Sequence, residues 1–186
     1  MACTLTTGRK LPCKSAVGGL KTVYFADFGT LGATTIASGE LTAIAGTPAL
    51  FQFDIKGNSS LETAINSSRE NGTTFYETTL NLTLTFLEKA TQEELKLIAH
   101  ARPHVFVEDY NGNYFVVGLE HGAEVTGGSI VSGAAMGDLS GYTLTLTGME
   151  RKPANFMSVD STSATFPFSE FAGLTGTVTI TEGTNS

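Results

Sequence analysis

Residues 76–86 alternate between two kinds of side chain, and this alternation constrains the fold more than any other feature of the chain. One parity consists of Tyr76, Thr78, Leu80, Leu82, Leu84 and Phe86. The other parity consists of Glu77, Thr79, Asn81, Thr83 and Thr85. Because successive side chains of a β-strand point to opposite faces, the first set is predicted to pack in a core and the second to lie in water. The purpose of this wet face is the main functional question.

The same alternation recurs in other segments and predicts a mainly β fold. Strands are predicted over residues 20–28, 50–56, 141–150 and 177–181, with a further pairing segment at 40–44. A hairpin over residues 104–119 turns at Asn111-Gly112. The glycine-rich stretch 127–137 is interpreted as a mobile loop. We therefore expect an antiparallel β-sandwich or barrel.

One segment has helical rather than strand periodicity. Within residues 91–102, an apolar stripe recurs at three- and four-residue steps and consists of Leu95, Ile98, Ala99 and Arg102. Thr91 and Glu94 have the spacing of a capping box, and Pro103 stops the pattern. The sequence predicts one α-helix over about 91–102, packed on a sheet.

Length and charge limit the organisation and the partners. The 186 residues suit a single domain, 1–186, and 21 glycines fit a β protein with many turns. The net charge of −7 argues against a surface that binds nucleic acid. Such a surface needs basic side chains to replace the counterions of the phosphates. No apolar run approaches the roughly 20 residues of a membrane helix, and no signal peptide is recognisable, so we expect no membrane insertion and synthesis in the cytoplasm.

Three segments stand outside the regular pattern. Residues 1–19 are predicted to form an extended arm that carries Arg9, Lys10 and Lys14. Residues 57–74 are polar and lie between the strands 50–56 and 75–87, so they are predicted to be the tip of a long protruding β-hairpin or a plain loop. Residues 154–186 form a C-terminal segment that ends in a strand.

No catalytic or metal-binding pattern is recognisable. The three histidines, His100, His104 and His121, are not clustered, and Cys3 and Cys13 have neither zinc-ligand nor disulfide-framework spacing, so they are expected to be free thiols. Phosphate-loop and serine-hydrolase motifs are missing from the sequence. We therefore expect a structural or binding protein without a cofactor or metal rather than an enzyme.

The order of these features resembles the major tail tube protein family of long-tailed bacteriophages, which is related to the tubes of contractile injection systems. The resemblance covers most of residues 20–153. It rests on the arm, the hairpin of residues 50–87, the helix "TQEELKLIAHAR", the tight hairpin and the strand "GDLSGYTLTLTGMERKPA".

The resemblance implies a virion protein that is assembled in the host cytoplasm. Copies would form stacked, hexameric rings whose channel conducts DNA during ejection without specific binding. Its partners would be further copies and other tail proteins, such as the tape measure, terminator and baseplate. The channel would be lined by the wet face, namely Glu77, Thr79, Asn81, Thr83 and Thr85. Contacts within and between rings are expected from the arm and hairpin, at Arg9, Lys10, Lys14, Glu62, Arg69 and Glu70.

The basic arm also has an interpretation that follows from charge alone. Because its three bases stand against an otherwise acidic chain, we expect the arm to dock on an acidic surface of a neighbouring subunit. Two alternatives to the tube remain at this point. One is a head–tail joining, tail terminator or baseplate protein of similar fold. The other is a carbohydrate-binding β-sandwich, which is disfavoured because the wet faces lack the aromatic side chains that sugar platforms use.

Overall fold

The computed structural model describes residues 8–9, 14, 16–55, 58–158, 172–174 and 179–183. Their helix and strands are, in chain order, β1 (Leu20–Ala26), β2 (Thr34–Ala37), β3 (Glu40–Gly46), β4 (Leu50–Asp54), β5 (Ser60–Ser68), β6 (Thr73–Thr85), α1 (Lys89–His100), β7 (His104–Asp109), β8 (Tyr114–Val117), β9 (Glu124–Val131), β10 (Gly141–Glu150), β11 (Asn155–Met157), β12 (Ala172–Leu174) and β13 (Ile180–Glu182). The predicted mainly β sandwich with one helix is confirmed.

The smaller sheet contains the long hairpin and has the strand order β5-β6-β10-β9. All its pairs are antiparallel, and β6 pairs with β10 from Thr85↔Gly141 to Tyr76↔Glu150. The hairpin differs from the prediction, because β5 rather than the segment 50–56 pairs with β6. Residues 60–68, which were predicted to lie in the tip or loop, form this strand, so the turn comprises only residues 69–72. The alternation of Leu61 and Ile65 with polar residues is the sequence signal for β5.

The larger sheet has the order β12-β3-β11-β8-β7-β1-β4-β13, with β2 paired to β3. The C-terminal segment contributes three of these strands. β11 lies between β3 and β8, β12 pairs with β3, and β13 pairs with β4. The pairs β11-β3, β12-β3 and β13-β4 are parallel, so the fully antiparallel arrangement predicted here is found only in the smaller sheet. The described strands after residue 153 are therefore an integral part of the fold.

Two apolar cores lie on opposite faces of the larger sheet. Val23, Val105 and Val107 face the smaller sheet, whereas Tyr24 and Phe106 face the other way. The second core also contains residues of β3 and β4, which stand near opposite ends of the strand order. The larger sheet must therefore curl around a core of its own. This arrangement explains why β1 and β7 are almost continuously buried instead of alternating.

The single helix covers the core between the two sheets. Its buried residues are Leu95 and Ile98, whereas Ala99, which was predicted to share their face, is exposed. The helix begins two residues before the predicted start, and Glu88 is its N-cap. Thr91 therefore lies inside the first turn, where its hydroxyl donates to the Glu88 carboxylate at 3.2 Å. The predicted capping box is wrong because the chain enters the helix directly after β6.

Two further sequence-based expectations fail for identifiable reasons. Phe86 was predicted to join the core, but its backbone has a φ of 71° and its side chain is 82% exposed, because the strand ends at Thr85. The glycine-rich segment 127–137 was interpreted as a loop, yet its residues 127–131 belong to β9, which pairs with β10; residues 132–137 contain no strand, as predicted. A Cβ on Gly128 would lie 2.7 Å from the carbonyl oxygen of Thr143, so glycine permits this close pairing. The Asn111-Gly112 hairpin is confirmed, with Gly112 at a φ of 78°.

The sandwich has two different ends. At one end, His104 begins β7 and hydrogen-bonds the carbonyl of Gly118, and the Glu150 carboxylate accepts the Glu120 N–H at 2.6 Å. The β5–β6 hairpin continues past Glu150 at this end by three residue pairs up to the turn, roughly 10 Å at about 3.3 Å per residue. We call it the hairpin end.

The opposite end is where the chain enters β1. Leu20 starts this strand, and Thr22 lies opposite Asp54, the last residue of β4. Four residues later, the carbonyl of Asn58 accepts the hydroxyl of Thr83 at 3.0 Å, which brings the end of β6 to the same place. We call this the arm end, and the length of β1 separates it from the hairpin end by roughly 20 Å.

His104 connects loops at the hairpin end and is almost fully buried. Its Nε2 accepts the Gly29 N–H at 3.2 Å, so Nδ1 carries the proton and donates to the Gly118 carbonyl at 2.6 Å. Phe28 stacks on its ring, and Arg102 lies over Phe28 at 4.7 Å. Burial lowers the pKa of His104, although the Gly118 hydrogen bond opposes that shift. The histidine therefore has a structural role here.

We predict that His104 makes the protein less stable as pH falls. Below about 6.5, the ordinary pKa, the unfolded chain takes up a proton that the folded chain resists. The free energy of unfolding should therefore fall by up to about 1.4 kcal/mol per pH unit until the folded pKa is reached. Urea unfolding at pH 7.5 and 5.5 should show this loss in the wild type and a smaller loss in His104→Asn.

The comparison with the variant isolates the histidine from other titrating groups. Burial raises the pKa of Glu150, which changes the stability in the opposite direction as pH falls. Equal pH dependence in the two proteins would contradict the assignment of neutral His104.

Candidate functional site

The outward face of the smaller sheet presents a mainly polar surface, interrupted at the end of β10 by Met149, which lies opposite Glu77 and is 55% exposed. On β6 it consists of Glu77, Thr79, Asn81, Thr83 and Thr85, which are exposed or half-buried as predicted for the wet parity. Their opposite parity is buried at Thr78, Leu80, Leu82 and Leu84. The strand register extends the polar face over the neighbouring strands, where it includes Ser60 and Glu62 on β5, Thr143, Thr145 and Thr147 on β10, and Glu124, Thr126 and Ser129 on β9. We call this set the polar face.

Many side chains of the polar face hydrogen-bond one another. The Thr145 hydroxyl donates to Asn81 Oδ1 at 2.9 Å. On the β9 side, two hydroxyl pairs lie within hydrogen-bond distance, Thr126 with Thr147 at 3.1 Å and Ser129 with Thr143 at 2.7 Å. Hydroxyls that bond within the sheet have less capacity to bind a passing ligand. The face is thus polar and exposed to water, but part of its hydrogen-bonding capacity is already used within the sheet.

The charges of the polar face all have one sign. Glu62, Glu77 and Glu124 lie on it, and none of its four strands contains Lys, Arg or His within the bounds above. Glu77 accepts a hydrogen bond from Asn66 at 3.2 Å. A surface of this composition repels phosphate and offers no cation to hold it.

The smaller sheet has two edge strands, β5 and β9, and each of them has only one neighbouring strand among the described residues. Among the residues that the structure describes, β5 pairs only with β6, and β9 only with β10. Each edge strand has a row of backbone N–H and C=O groups that another strand can pair with. The polar face can therefore continue from one copy of the chain into the next.

The residues predicted to make contacts between subunits lie in three different places. Arg9 and Lys14 in the arm are exposed, and Lys10 lies outside the described residues, as do Cys3 and Cys13. Arg69 and Glu70 are exposed in the hairpin turn. Glu62 lies opposite Thr79, so the structure places it on the polar face rather than at the tip.

The root of the arm is fixed by an asparagine in the β7–β8 turn. The Asn111 amide accepts the Val17 N–H at 2.9 Å and donates to the Val17 carbonyl at 2.7 Å, as a neighbouring strand would. The backbone N–H of Asn111 donates to the Asp109 carboxylate at 2.8 Å. Burial opposes ionisation of Asp109, but hydrogen bonds from Asn113 and Asn111 outweigh it and lower its pKa. The chain before residue 17 therefore starts at the arm end.

Sequence reasoning recognised part of the polar face and missed the rest. The alternation in 141–150 indicated the outward threonines of β10, and they face outward in the structure. Glu124, Thr126 and Ser129 were missed because Gly127 and Gly128 interrupt the β9 pattern. The signal that could have found this strand is the alternation of Val125 with Glu124 and Thr126 before the glycines.

The described residues contain no group of three or more His, Cys, Asp or Glu side chains that could hold a metal ion. The same part of the chain contains no helix with the length and apolar character needed to cross a bilayer.

Comparison of the chain with protein-family models, curated proteins and solved structures gives no significant match to any of them.

Proposed function

We propose that this protein is the tail tube subunit of a long-tailed bacteriophage and not an enzyme. Copies would form rings, with six subunits as the expected number, and the rings would stack into a tube in the virion tail. The polar face lines the channel, through which DNA passes without being bound. The further partners are the tail proteins that lie within and at the ends of the tube.

The observation that carries this proposal is a base-free, hydroxyl-rich face on a sheet with two open edges. A channel for DNA must be wet, must lack cations and must offer few free donors, because phosphate oxygens bind Lys, Arg and hydroxyl donors. The polar face meets these requirements. Its charged residues are the acids Glu62, Glu77 and Glu124, and its threonines hydrogen-bond other side chains of the same sheet. Closing the sheet through β5 and β9 of successive copies would remove both exposed edges.

The two unlike ends of the sandwich also support stacking. The hairpin end extends the β5–β6 ribbon, whose Ile65 is 69% exposed and Phe75 39% exposed. The arm end also exposes Phe86 and Leu87, which follow β6. Unlike ends associate head to tail, and a head-to-tail contact that does not close on itself produces a filament.

The first test places a cation in the proposed channel. Thr79→Lys lies on the polar face at a half-buried position, so it should reduce the free energy of unfolding by no more than about 1 kcal/mol. Tubes of this variant should retain DNA at low salt and release it as the salt concentration rises, because the lysines replace phosphate counterions. Thr79→Gln is the matched control and should retain no DNA.

A second variant checks the parity on which the test depends. Leu82 is 2% exposed on the opposite face, so Leu82→Lys would bury an unpaired charge and should prevent folding. Equal damage from Thr79→Lys and Leu82→Lys, measured by urea unfolding, would refute the wet-face assignment. Labelling of the Thr79→Lys amine in intact tubes by a reagent too large for the channel would refute the lining.

The hairpin provides a separate test of stacking. Replacing residues 66–75 with Asn-Gly would join Ile65 to Tyr76, which are paired opposite each other, and would remove only the ribbon beyond β10. The sandwich should keep its β-type circular dichroism, and its melting temperature should change by no more than a few degrees. Electron micrographs should show rings or monomers in place of long tubes, and normal tubes would exclude the hairpin from stacking.

A further inference from the structure

A small apolar cleft lies at the hairpin end between the helix and the larger sheet. It has a volume of about 200 Å³, and its apolar lining includes Phe51, Phe53, Leu97 and Ile98. Leu97 is 64% exposed and Phe51 is 37% exposed, although both lie beside buried core residues. The cleft is below the roughly 300–1,000 Å³ of small-molecule pockets, so it fits one or two side chains of a peptide rather than a metabolite.

The cleft is acidic as well as apolar. The charged residues that line it are Asp27 and Glu94, both exposed, and its lining contains no basic residue. An apolar floor with carboxylates at its edge complements a segment that combines aliphatic and basic side chains.

The N-terminal arm is the segment of this chain with that composition. Residues 1–19 contain no acid, and they combine the bases Arg9, Lys10 and Lys14 with the aliphatic residues Leu5 and Leu11. The chain as a whole has a net charge of −7, so the rest of it is more acidic still. The charge and the apolar content of the arm both match the cleft.

The positions of the arm and the cleft decide which copy supplies the arm. Asn111 fixes Val17 at the arm end, whereas the cleft lies at the hairpin end, roughly 20 Å away along β1. In a head-to-tail stack, the arm end of one copy faces the hairpin end of the next. The arm then emerges directly toward the neighbour's cleft, and reaching its own cleft would require it to turn back along the body.

We propose that the cleft between α1 and strands β1 and β4 receives the N-terminal arm of the next copy in the stack. This inference rests on the proposed function, because it assumes head-to-tail assembly. The β5–β6 hairpin is a poorer occupant, because it extends from the same end as the cleft. Its insertion would join two like ends and produce a closed pair instead of a stack.

Charge reversal with rescue tests the pairing. The double variant Asp27→Lys/Glu94→Lys should raise the concentration at which tubes form by about tenfold, since like charges then face each other. The triple arm variant Arg9→Glu/Lys10→Glu/Lys14→Glu should do the same, and the five substitutions together should restore assembly. Glu93→Lys is the matched control, because Glu93 is an exposed residue on the same helix that does not line the cleft, and it should assemble normally.

A disulfide trap identifies the occupant directly. The sequence has two cysteines, Cys3 and Cys13, and both lie in the arm. Under a mild oxidant, assembled Leu97→Cys should give a ladder of covalent multimers on a non-reducing gel. Glu93→Cys and the wild type should not give this ladder.

The outcomes separate the two proposals. If the wild type forms no rings or filaments, the proposed tube function fails. If the wild type assembles but the cleft reversal has no more effect than Glu93→Lys, only the arm–cleft inference fails. An intrachain crosslink in monomeric Leu97→Cys would show that each arm occupies its own cleft, and the lack of any crosslink to Leu97→Cys would show that the arm does not enter it. Either result would overturn the inference.

Discussion

The antiparallel ladder between β6 and β10 is the constraint on which the rest of the structure depends. It runs over ten residue pairs, and both strands alternate strictly, so one register places leucines inward and threonines outward on two neighbouring strands. A shift of one residue would exchange the two faces and expose Leu80, Leu82 and Leu146 to water, which is a large energetic penalty. The core on one side and the polar face on the other are therefore fixed by the same pairing. The proposed channel lining needs no specialised site, because it is the other side of the core.

The larger sheet was harder to derive from the sequence for a physical reason. Strands that are half-buried show a period of two, which made β6 and β10 recognisable, but β1 and β7 pack on two cores and lose that period. Short C-terminal strands such as β11 carry almost no local signal, because three residues cannot show a pattern. Their positions depend on contacts with β3 and β8, which are distant in sequence. The sequence was therefore sufficient for β6, β10 and the sandwich class, but insufficient for β5, β9 and the strand order of the larger sheet.

The candidate site shows the same division. The five β6 residues of the polar face follow directly from alternation, whereas the β9 contribution depends on Gly128, whose lack of a side chain permits pairing with β10 and also weakens the strand signal. Glu62 was predicted to lie in the hairpin tip because β5 was not recognised as a strand, and the structure places it on the polar face. The cleft beside α1 had no sequence signal, since Phe51, Leu97 and Asp27 come from three separated segments. Polar surfaces on one strand can be derived from sequence, but concave sites formed by several elements need the tertiary structure.

The fixed root of the arm has a consequence for how an assembly of this chain would begin and end. Asn111 pairs with both backbone groups of Val17, so the place at which the arm leaves the body is set before any neighbour is present. In the proposed stack, one terminus would always display unfilled acidic clefts and the other would display unattached basic arms. The tube would then have a built-in direction, and its two terminal proteins could not be interchanged. The terminal protein that binds the clefts must contain a segment with basic and aliphatic residues. The terminal protein that binds the arms must have an apolar cleft with carboxylates at its edge.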